Sequence, residues 1–452
     1  MMKYDVVVIG GGPAGLAAAQ EAKKAGAERV LVLERDSRAG GILNQCIHDG
    51  FGLIHYRKTL TGPEYAMRAI REAEEAGVTI KTDSMVTGMT SDRIVTAVCR
   101  DGYHRYEAGA VVLATGCRER TRGALAIPGS RPAGVFTAGV VQNLVNVKNM
   151  MIGKRVVILG SGDIGLIMAR RLTLEGAKVL AVVELMHNSG GLQRNISQCL
   201  YDFGIPLYTG HTVSNIIGEK KLSAVEITKV DEQLRPIPDS TFTIDCDALV
   251  LSVGLIPENE VGRSAGVALD ERNGAITDEF MQTSVPGVFA CGNCHGVMDL
   301  VDFVSAQGET AGKNAAAFVL GQEMTPWNLA RKDKPAKGIP EKDLLTCILC
   351  PNGCHLRYEA DGSITGATCK RGEAYALQER TAPMRTLTFT MVTDKGMLIP
   401  VRTHKPIPRD SLLDCAKKLQ SMVLPHRDYH CGEIVIPELM GASVMVTCDM
   451  KA

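Results

Sequence analysis

Apolar and polar residues fall in blocks along this chain, and the blocks repeat. "YDVVVIGGGPAGLAAAQEAKKAGAERVLVLER" opens on the unbroken apolar run Val6, Val7, Val8 and Ile9, the pattern of a parallel strand buried on both faces. A glycine-rich turn follows, then an Ala-rich stretch marked by Lys and Glu that predicts a helix. A second apolar strand, "RVLVLE", ends at Glu34. "KRVVILGSGDIGLIMARRLTLEGAKVLAVVE" repeats this order and ends at Glu184. The step from first glycine to terminal acid is the same in both, 34 − 10 = 24 and 184 − 160 = 24. Each unit leads into hairpin-like segments that return to an apolar strand, closing on Thr115-Gly116 in one and Val253-Gly254 in the other. A repeat of this size predicts two similar α/β domains. Beyond residue 344 the pattern becomes β-rich and Pro-punctuated, with one clear helical stretch, "RDSLLDCAKKLQSMV". The "TPWNLARKDKPAKGIPEKD" before it predicts a linker.

The turns carry chemistry. Gly10, Gly12 and Gly15, and again Gly160, Gly162 and Gly165, read G-x-G-x-x-G between a strand and a helix. The first glycine permits the tight turn, the second lets backbone approach a pyrophosphate, and the third lets helix pack on strand. Pro13 and Ala14, and Asp163 and Ile164, open the two helices, whose N-termini present free N–H groups to an anion. Glu34 and Glu184 sit where an acid accepts hydrogen bonds from a ribose diol. The expected fold class is α/β, with two Rossmann-like dinucleotide-binding domains and a small C-terminal α+β domain.

Composition narrows the class. The 452 residues leave room for about three domains. Lys+Arg and Asp+Glu both total 50, so no charge excess points to nucleic acid or a charged membrane surface. "MMKYDVVVIGGG" enters a strand directly, and no apolar run approaches the roughly 20 residues that span a bilayer. The expectation is a cytoplasmic protein. There, 14 cysteines do not read as a disulfide framework, and clustered ones point to metal or redox chemistry.

Such a cluster lies in "CILCPNGCHLRYEADGSITGATCKRG", with Cys347, Cys350, Cys354 and Cys369. Three closely spaced thiolates can wrap one side of an inorganic core, and a fourth, after a hairpin, closes the other. Four thiolates suit a [4Fe–4S] cluster or a structural zinc. Two other places hold cysteines worth weighing. Cys46 and His48 follow Gly41 and Ile42, and Cys46 reads either as a reactive thiol or as a packing residue. "ACGNCHG" (Cys291, Cys294, His295) has C-x-x-C spacing, and a redox pair there stays open.

With these motifs assembled, the chain resembles the two-dinucleotide-binding flavoprotein oxidoreductases, the thioredoxin-reductase-like class. "VVVIGGGPAGLAAA" resembles their FAD site, "VVLATG" their second FAD signature, and "GVFACGN…VDFVSAQGETAG" their closing FAD motif. The resemblance implies an FAD domain over 1–120 and 257–322, with Arg35, Gly41, Ile42, Thr115, Gly116, Gly292, Asn293 and Val304 beside the cofactor. It implies an inserted NAD(P)H domain over 121–256, with Gly254 at its end. Residues 323–343 form the linker and 344–452 the cysteine-cluster domain. Glu184 favours NAD over NADP, with Arg194 as the opposing sign. The usual Asp of the closing motif is Asn293, and "IPGSRPAGVFTAGVVQNLVN" lacks the C-x-x-C of thioredoxin reductases. The tail resembles the cluster-binding segment of molybdopterin oxidoreductases, and also a small domain found beside glycerol-3-phosphate dehydrogenase-type flavoenzymes. That resemblance selects iron–sulfur over zinc. The expected function is an electron-transfer subunit working between NAD(H), FAD, a [4Fe–4S] cluster and a partner flavin-dependent dehydrogenase subunit, in a hetero-oligomer. The rivals are a stand-alone NADH oxidase using Cys46 with a zinc-bound tail, and a flavin-bearing docking scaffold without activity.

Overall fold

The computed structural model describes residues 2–328, 335–341 and 343–452. They divide into two compact units, Met1–Arg118 with Leu255–Ala330 and Glu119–Gly254 with Arg331–Ala452.

The first unit is built on the apolar run. Strand Met2–Ile9 pairs in parallel with Val30–Leu33 on one side and Gly102–Leu113 on the other. Its side chains alternate between two cores. Val6 and Val8 pack with Ala14, Leu16 and Ala315, while Val7 and Ile9 pack with Val95, Val111 and Val285. Both faces are buried, which is why the run has no polar position. Thr79–Lys81 pairs outside Val30–Leu33, and Val288–Ala290 lies parallel to Gly102–Leu113. The far edge is antiparallel, through Ile94–Cys99 and Ser84–Met89.

Helices Pro13–Lys24 and Val301–Leu320 pack in close backbone contact. A Cβ at Gly308 would lie 2.2 Å from the Ala14 carbonyl oxygen, and one at Gly312 1.9 Å from that of Ala18. Only glycine fits at either position. Helix Gly62–Glu75 starts on a capping box, in which Thr61 N donates to Glu64 and Glu64 N to Thr61 Oγ1.

The second unit repeats the scheme. Five parallel strands run in the order Val135–Thr137, Ala248–Leu251, Arg155–Leu159, Lys178–Glu184 and Leu207–Thr209. The expected hairpin region forms an antiparallel sheet of His211–Ile217, Ala224–Lys229 and Phe242–Asp245.

The cysteine-bearing tail belongs to this same unit. Its five-stranded sheet (Val423–Leu424, Thr388–Thr393, Leu398–Thr403, Ala442–Val446, Ile434–Leu439) shares a core with Leu174 at the end of helix Asp163–Leu174. Arg171 of that helix, its side chain only 4% exposed, donates to Thr390 Oγ1 at 2.9 Å and lies over the Phe389 ring. The predicted tail helix is present as Leu412–Gln420. A second helix, Lys370–Thr381, was not expected. It buries only Gly372, Tyr375 and Ala376, so its apolar positions set no helical stripe. Within the predicted linker, Trp327 packs on the first unit's core. Ala336 to Ile339 hydrogen-bond along residues 188–193. Residues 329–334 and 342 lie outside the described residues. Among the described residues no helix is long and apolar enough to cross a membrane.

Candidate functional site

The first glycine turn is shaped by what cannot fit there. Gly10 has φ +108°, and a Cβ on it would lie 2.4 Å from the Ala114 oxygen. A Cβ on Gly15 would lie 1.9 Å from the Gly10 oxygen, whereas one on Gly12 meets nothing within 4 Å. Gly12 is the N-cap of helix Pro13–Lys24 and makes no side-chain cap, so the first N–H groups of the helix face an open cradle. Gly41 approaches from above, since its Cβ would stand 3.1 Å from Gly12 Cα. Ile42 beside it is exposed.

Glu34 is 5% exposed and accepts from Gly11 N at 2.7 Å and Asp36 N at 2.9 Å. The acid therefore fixes the turn, and each carboxylate oxygen keeps acceptor capacity beyond these bonds. Arg35 is exposed and pairs with Glu258 at 3.3 Å. Thr115 Oγ1 donates to the Glu258 carbonyl at 2.5 Å, and Gly116 O accepts from Glu258 N at 3.0 Å. On the other side, Gly292 N donates to Gln307 at 2.7 Å, Asn293 Oδ1 accepts from Met298 N at 3.1 Å, and Val304 is buried. Gln307, 1% exposed, lies inside the quoted closing motif, but nothing in its spacing marks it as the support of Gly292. Gly15→Ala is expected to hold FAD roughly tenfold or more weakly, through overpacking of about 1–3 kcal/mol. Flavin absorbance per chain after gel filtration checks it.

The second turn follows the same plan. Gly160 has φ +103°, and a Cβ on it would lie 2.0 Å from the Ser252 oxygen. A Cβ on Gly165 would lie 2.5 Å from the Gly160 oxygen. Gly162 caps helix Asp163–Leu174 without a side-chain bond. Glu184 accepts from Ser161 N (2.8 Å), Ser161 Oγ (2.7 Å) and Met186 N (3.0 Å). Asp163 Oδ1 takes Leu192 N and Asn195 Nδ2, both at 2.8 Å, tying the segment after Glu184 to the helix start next to Ile164. Gly254 has φ +104°. Arg194 is 8% exposed, with its Nε unbonded.

The four tail cysteines lie beyond this point in the chain. Cys347 N donates to Cys354 O at 2.9 Å, folding the first three into one loop, and Cys369 caps helix Lys370–Thr381. Cys347 is 3% exposed. Burial pushes its thiol up to about 11, and the neighbouring Cys350, Cys354 and Cys369 each add to that rise. Thiolate donors of this kind could hold a cationic metal core. The loop is fastened to the second glycine turn's own segment. Gln193 N donates to Ala336 O at 3.0 Å, and Gln193 Oε1 lies 2.5 Å from His355 Nε2, the residue after Cys354.

The remaining candidates behave differently. Cys291 and Cys294 are fully buried, both thiols are directed at the Leu113 carbonyl, and burial raises both pKa values. Cys46 ends the turn Gly41–Gln45, its carbonyl accepting from Gly62 N at 2.9 Å, while the His48 ring packs 4.8 Å from Phe51. A group without a sequence signal lies along helix Val301–Leu320: His55, 3.5 Å from Glu309, and Tyr65, 2.7 Å from Ser305. Burial raises the Glu309 carboxyl above the usual range, against the pull of His55. A raised carboxyl keeps its proton in the folded state while the unfolded chain loses it, so its contribution weakens as pH climbs from about 4.3 through the raised value. Glu309→Gln is expected to flatten that decline in melting temperature against pH.

Over residues 4–308 the chain matches the family model of pyridine nucleotide-disulphide oxidoreductases. The chain belongs to that family. It is accordingly a flavin-dependent NAD(P)H oxidoreductase with the two-Rossmann architecture and a separate small C-terminal domain. A second model, of a protein family of unknown function (DUF1667), matches 370–448, starting just after Cys369. Thioredoxin reductase of Listeria innocua is 27% identical over 319 residues, covering 70% of this chain and 94% of that protein. One of the subunits of opine oxidase from Agrobacterium tumefaciens is 26% identical over 341 residues, and the match spans 70% of this chain but only 65% of that relative. Glutamate synthase [NADPH] small chain of Mycobacterium tuberculosis is 26% identical over 353 residues, 71% of this chain and 68% of that one. The solved thioredoxin reductase of Lactococcus lactis superposes with a TM-score of 0.58 at 25% identity, covering 70% of this chain and 99% of that one. Each of these likenesses stops short of the whole chain.

Proposed function

We propose that this oxidoreductase is an electron-transfer subunit exchanging electrons between NAD(H), FAD and an iron–sulfur cluster on behalf of a partner dehydrogenase. The observation that carries this reading is the fastening of the loop that bears Cys347, Cys350 and Cys354 to the segment that follows the second dinucleotide turn, through Gln193, Ala336 and His355. When bound, FAD would accept an electron pair as one hydride and give up electrons singly, which is the currency an iron–sulfur cluster carries.

The chain's own residues supply binding and orientation. The turn Gly10–Gly15 offers the uncapped N–H groups of helix Pro13–Lys24 to the FAD pyrophosphate, and Glu34 waits at the ribose. Thr115, Gly116, Gly292 and Asn293 are the polar backbone and side chains set for the rest of that cofactor. The turn Gly160–Gly165 with Glu184 does the same for NAD(H), and the Glu184 carboxylate opposes the 2′-phosphate of NADP. Cys347, Cys350, Cys354 and Cys369 would hold the metal cluster. Two relatives bear names that mark them as parts of larger enzymes, the opine oxidase chain and the glutamate synthase small chain, which supports service to an assembly. "IPGSRPAGVFTAGVVQNLVN" has no C-x-x-C, which separates this reading from a dithiol reductase. A glycerol-3-phosphate dehydrogenase-type partner is the proposal for that assembly.

The test is anaerobic purification, iron and sulfide analysis, and NADH reduction followed by EPR. Bleaching of the flavin with a reduced-cluster signal is expected. Zinc without iron would overturn the cluster, and an unbleached flavin would overturn the NADH half. Oxygen consumption by the isolated chain that vanishes in Cys46→Ala would replace the reading with a stand-alone oxidase.

A further inference from the structure

We propose that Cys99, Asp101 and His104 form a binding site for a zinc-class divalent transition-metal ion, separate from the tail thiols. The three residues stand around the turn of one hairpin. Strands Ile94–Cys99 and Gly102–Leu113 pair so that Cys99 faces Gly102 and Ala97 faces His104. Alternation puts Cys99 and His104 on the same face of the sheet, and Asp101 joins them from the turn. One sulfur, one carboxylate oxygen and one imidazole nitrogen thereby lie within 4.8 Å of one another. The turn is pinned: Gly102 takes φ +121°, and Arg100 Nε holds Asp83 at 3.1 Å.

Two observations point to a metal rather than an ion-pair cluster. His104 Nε2 is closed off from solvent 3.1 Å from Asp101 Oδ1, yet it makes no hydrogen bond of good geometry. A ring nitrogen that faces a carboxylate without hydrogen-bond alignment is one that coordination would employ. The donor set is also the mixed sulfur, nitrogen and oxygen type that zinc takes at about 2.0–2.3 Å, with a fourth position left for water. Thiolate and imidazole select zinc or cobalt over magnesium or calcium. On binding, the Cys99 S–H proton leaves to solvent, a metal–sulfur bond forms, and no electrons change hands.

Lys81 is the site's internal competitor. Its Nζ lies 3.2 and 3.4 Å from the two oxygens of Asp101. The ammonium would have to swing out when the metal enters, and its side chain is 30% exposed, so it has somewhere to go. Removing it should therefore tighten the site rather than weaken it. A merely structural Lys–Asp–His cluster would give the opposite.

Cobalt(II) added to the full-length chain carrying Cys347→Ser, Cys350→Ser, Cys354→Ser and Cys369→Ser is expected to give a thiolate-to-cobalt charge-transfer band. The band should disappear with a further Cys99→Ser or His104→Ala, and Lys81→Ala should bind cobalt about tenfold more tightly. If the fourfold variant does not fold, zinc content of the otherwise unaltered protein after dialysis against zinc serves instead. It should fall by about one ion per chain with His104→Ala. A band that survives Cys99→Ser, an affinity unchanged or weakened by Lys81→Ala, or a zinc content unchanged by His104→Ala overturns the site.

Discussion

Arg385→Ala is expected to destabilise the second unit by about 3–5 kcal/mol, the usual cost of leaving buried carboxylates without their cation. Arg385 has a side chain only 4% exposed. It donates to Asp202 at 2.6 and 2.9 Å and to Glu379 at 2.7 and 2.6 Å. Those two acids are 7% and 10% exposed, so neither can turn to water when the guanidinium is removed. Asp202 belongs to the inserted dinucleotide half and the other two residues to the tail, so the loss falls on the junction that makes them one unit. Calorimetry or a circular-dichroism melt should show a drop of roughly 10 °C. Arg385→Lys keeps the charge without the planar fork and should fall between the two. Replacing Arg385, Asp202 and Glu379 together by apolar residues of similar volume should recover most of the loss, because an ion triad is costly to break and of little net worth intact. A loss under about 1 kcal/mol for Arg385→Ala would place the triad in water.

Cys347→Ala is expected to abolish bound iron and acid-labile sulfide, while Cys431→Ala leaves both unchanged. Cys347 is the buried member of the four thiols, and its N–H closes the loop on Cys354. Three of the proposed ligands remain after its removal, and Cys347 packs with Leu356, Tyr375 and Ala376. Cys431 is held elsewhere, its backbone N–H donating to Asp449 at 2.9 Å. The residues of the first glycine turn all lie in the other unit, so Cys347→Ala should still retain flavin. The variant thus separates the cluster from flavin binding. Iron content equal to the parent's would end the four-thiol assignment, and loss of flavin along with iron would mean that the substitution had unfolded more than the cluster.

Much of the architecture could be read from local pattern. Val6 to Ile9 are apolar without interruption because both sheet faces are covered, and the structure divides them between two cores. Gly10, Gly15, Gly160 and Gly165 are required by clashes with atoms a few residues away or on the adjoining strand. The helix Lys370–Thr381 is not legible in the same way, because three buried residues set no periodic stripe. C-x-x-C spacing at Cys291 and Cys294 leaves a redox pair open, and the structure buries both thiols against the Leu113 carbonyl of the adjoining strand. Spacing alone does not tell whether two sulfurs face solvent or a carbonyl.

The sequence by itself determined the two dinucleotide-binding turns, the strands that carry them and the four-cysteine segment. Each of these depends on interactions across a few residues: a positive φ, a missing Cβ, a run buried on both sides. Only the tertiary structure decided where the tail belongs. Gln193 meets His355 across 162 residues, Arg171 meets Thr390 across 219, and Arg385 meets Asp202 across 183. No short-range pattern encodes such pairs, because each partner is chemically ordinary in its own neighbourhood and becomes specific only when folding removes both from water.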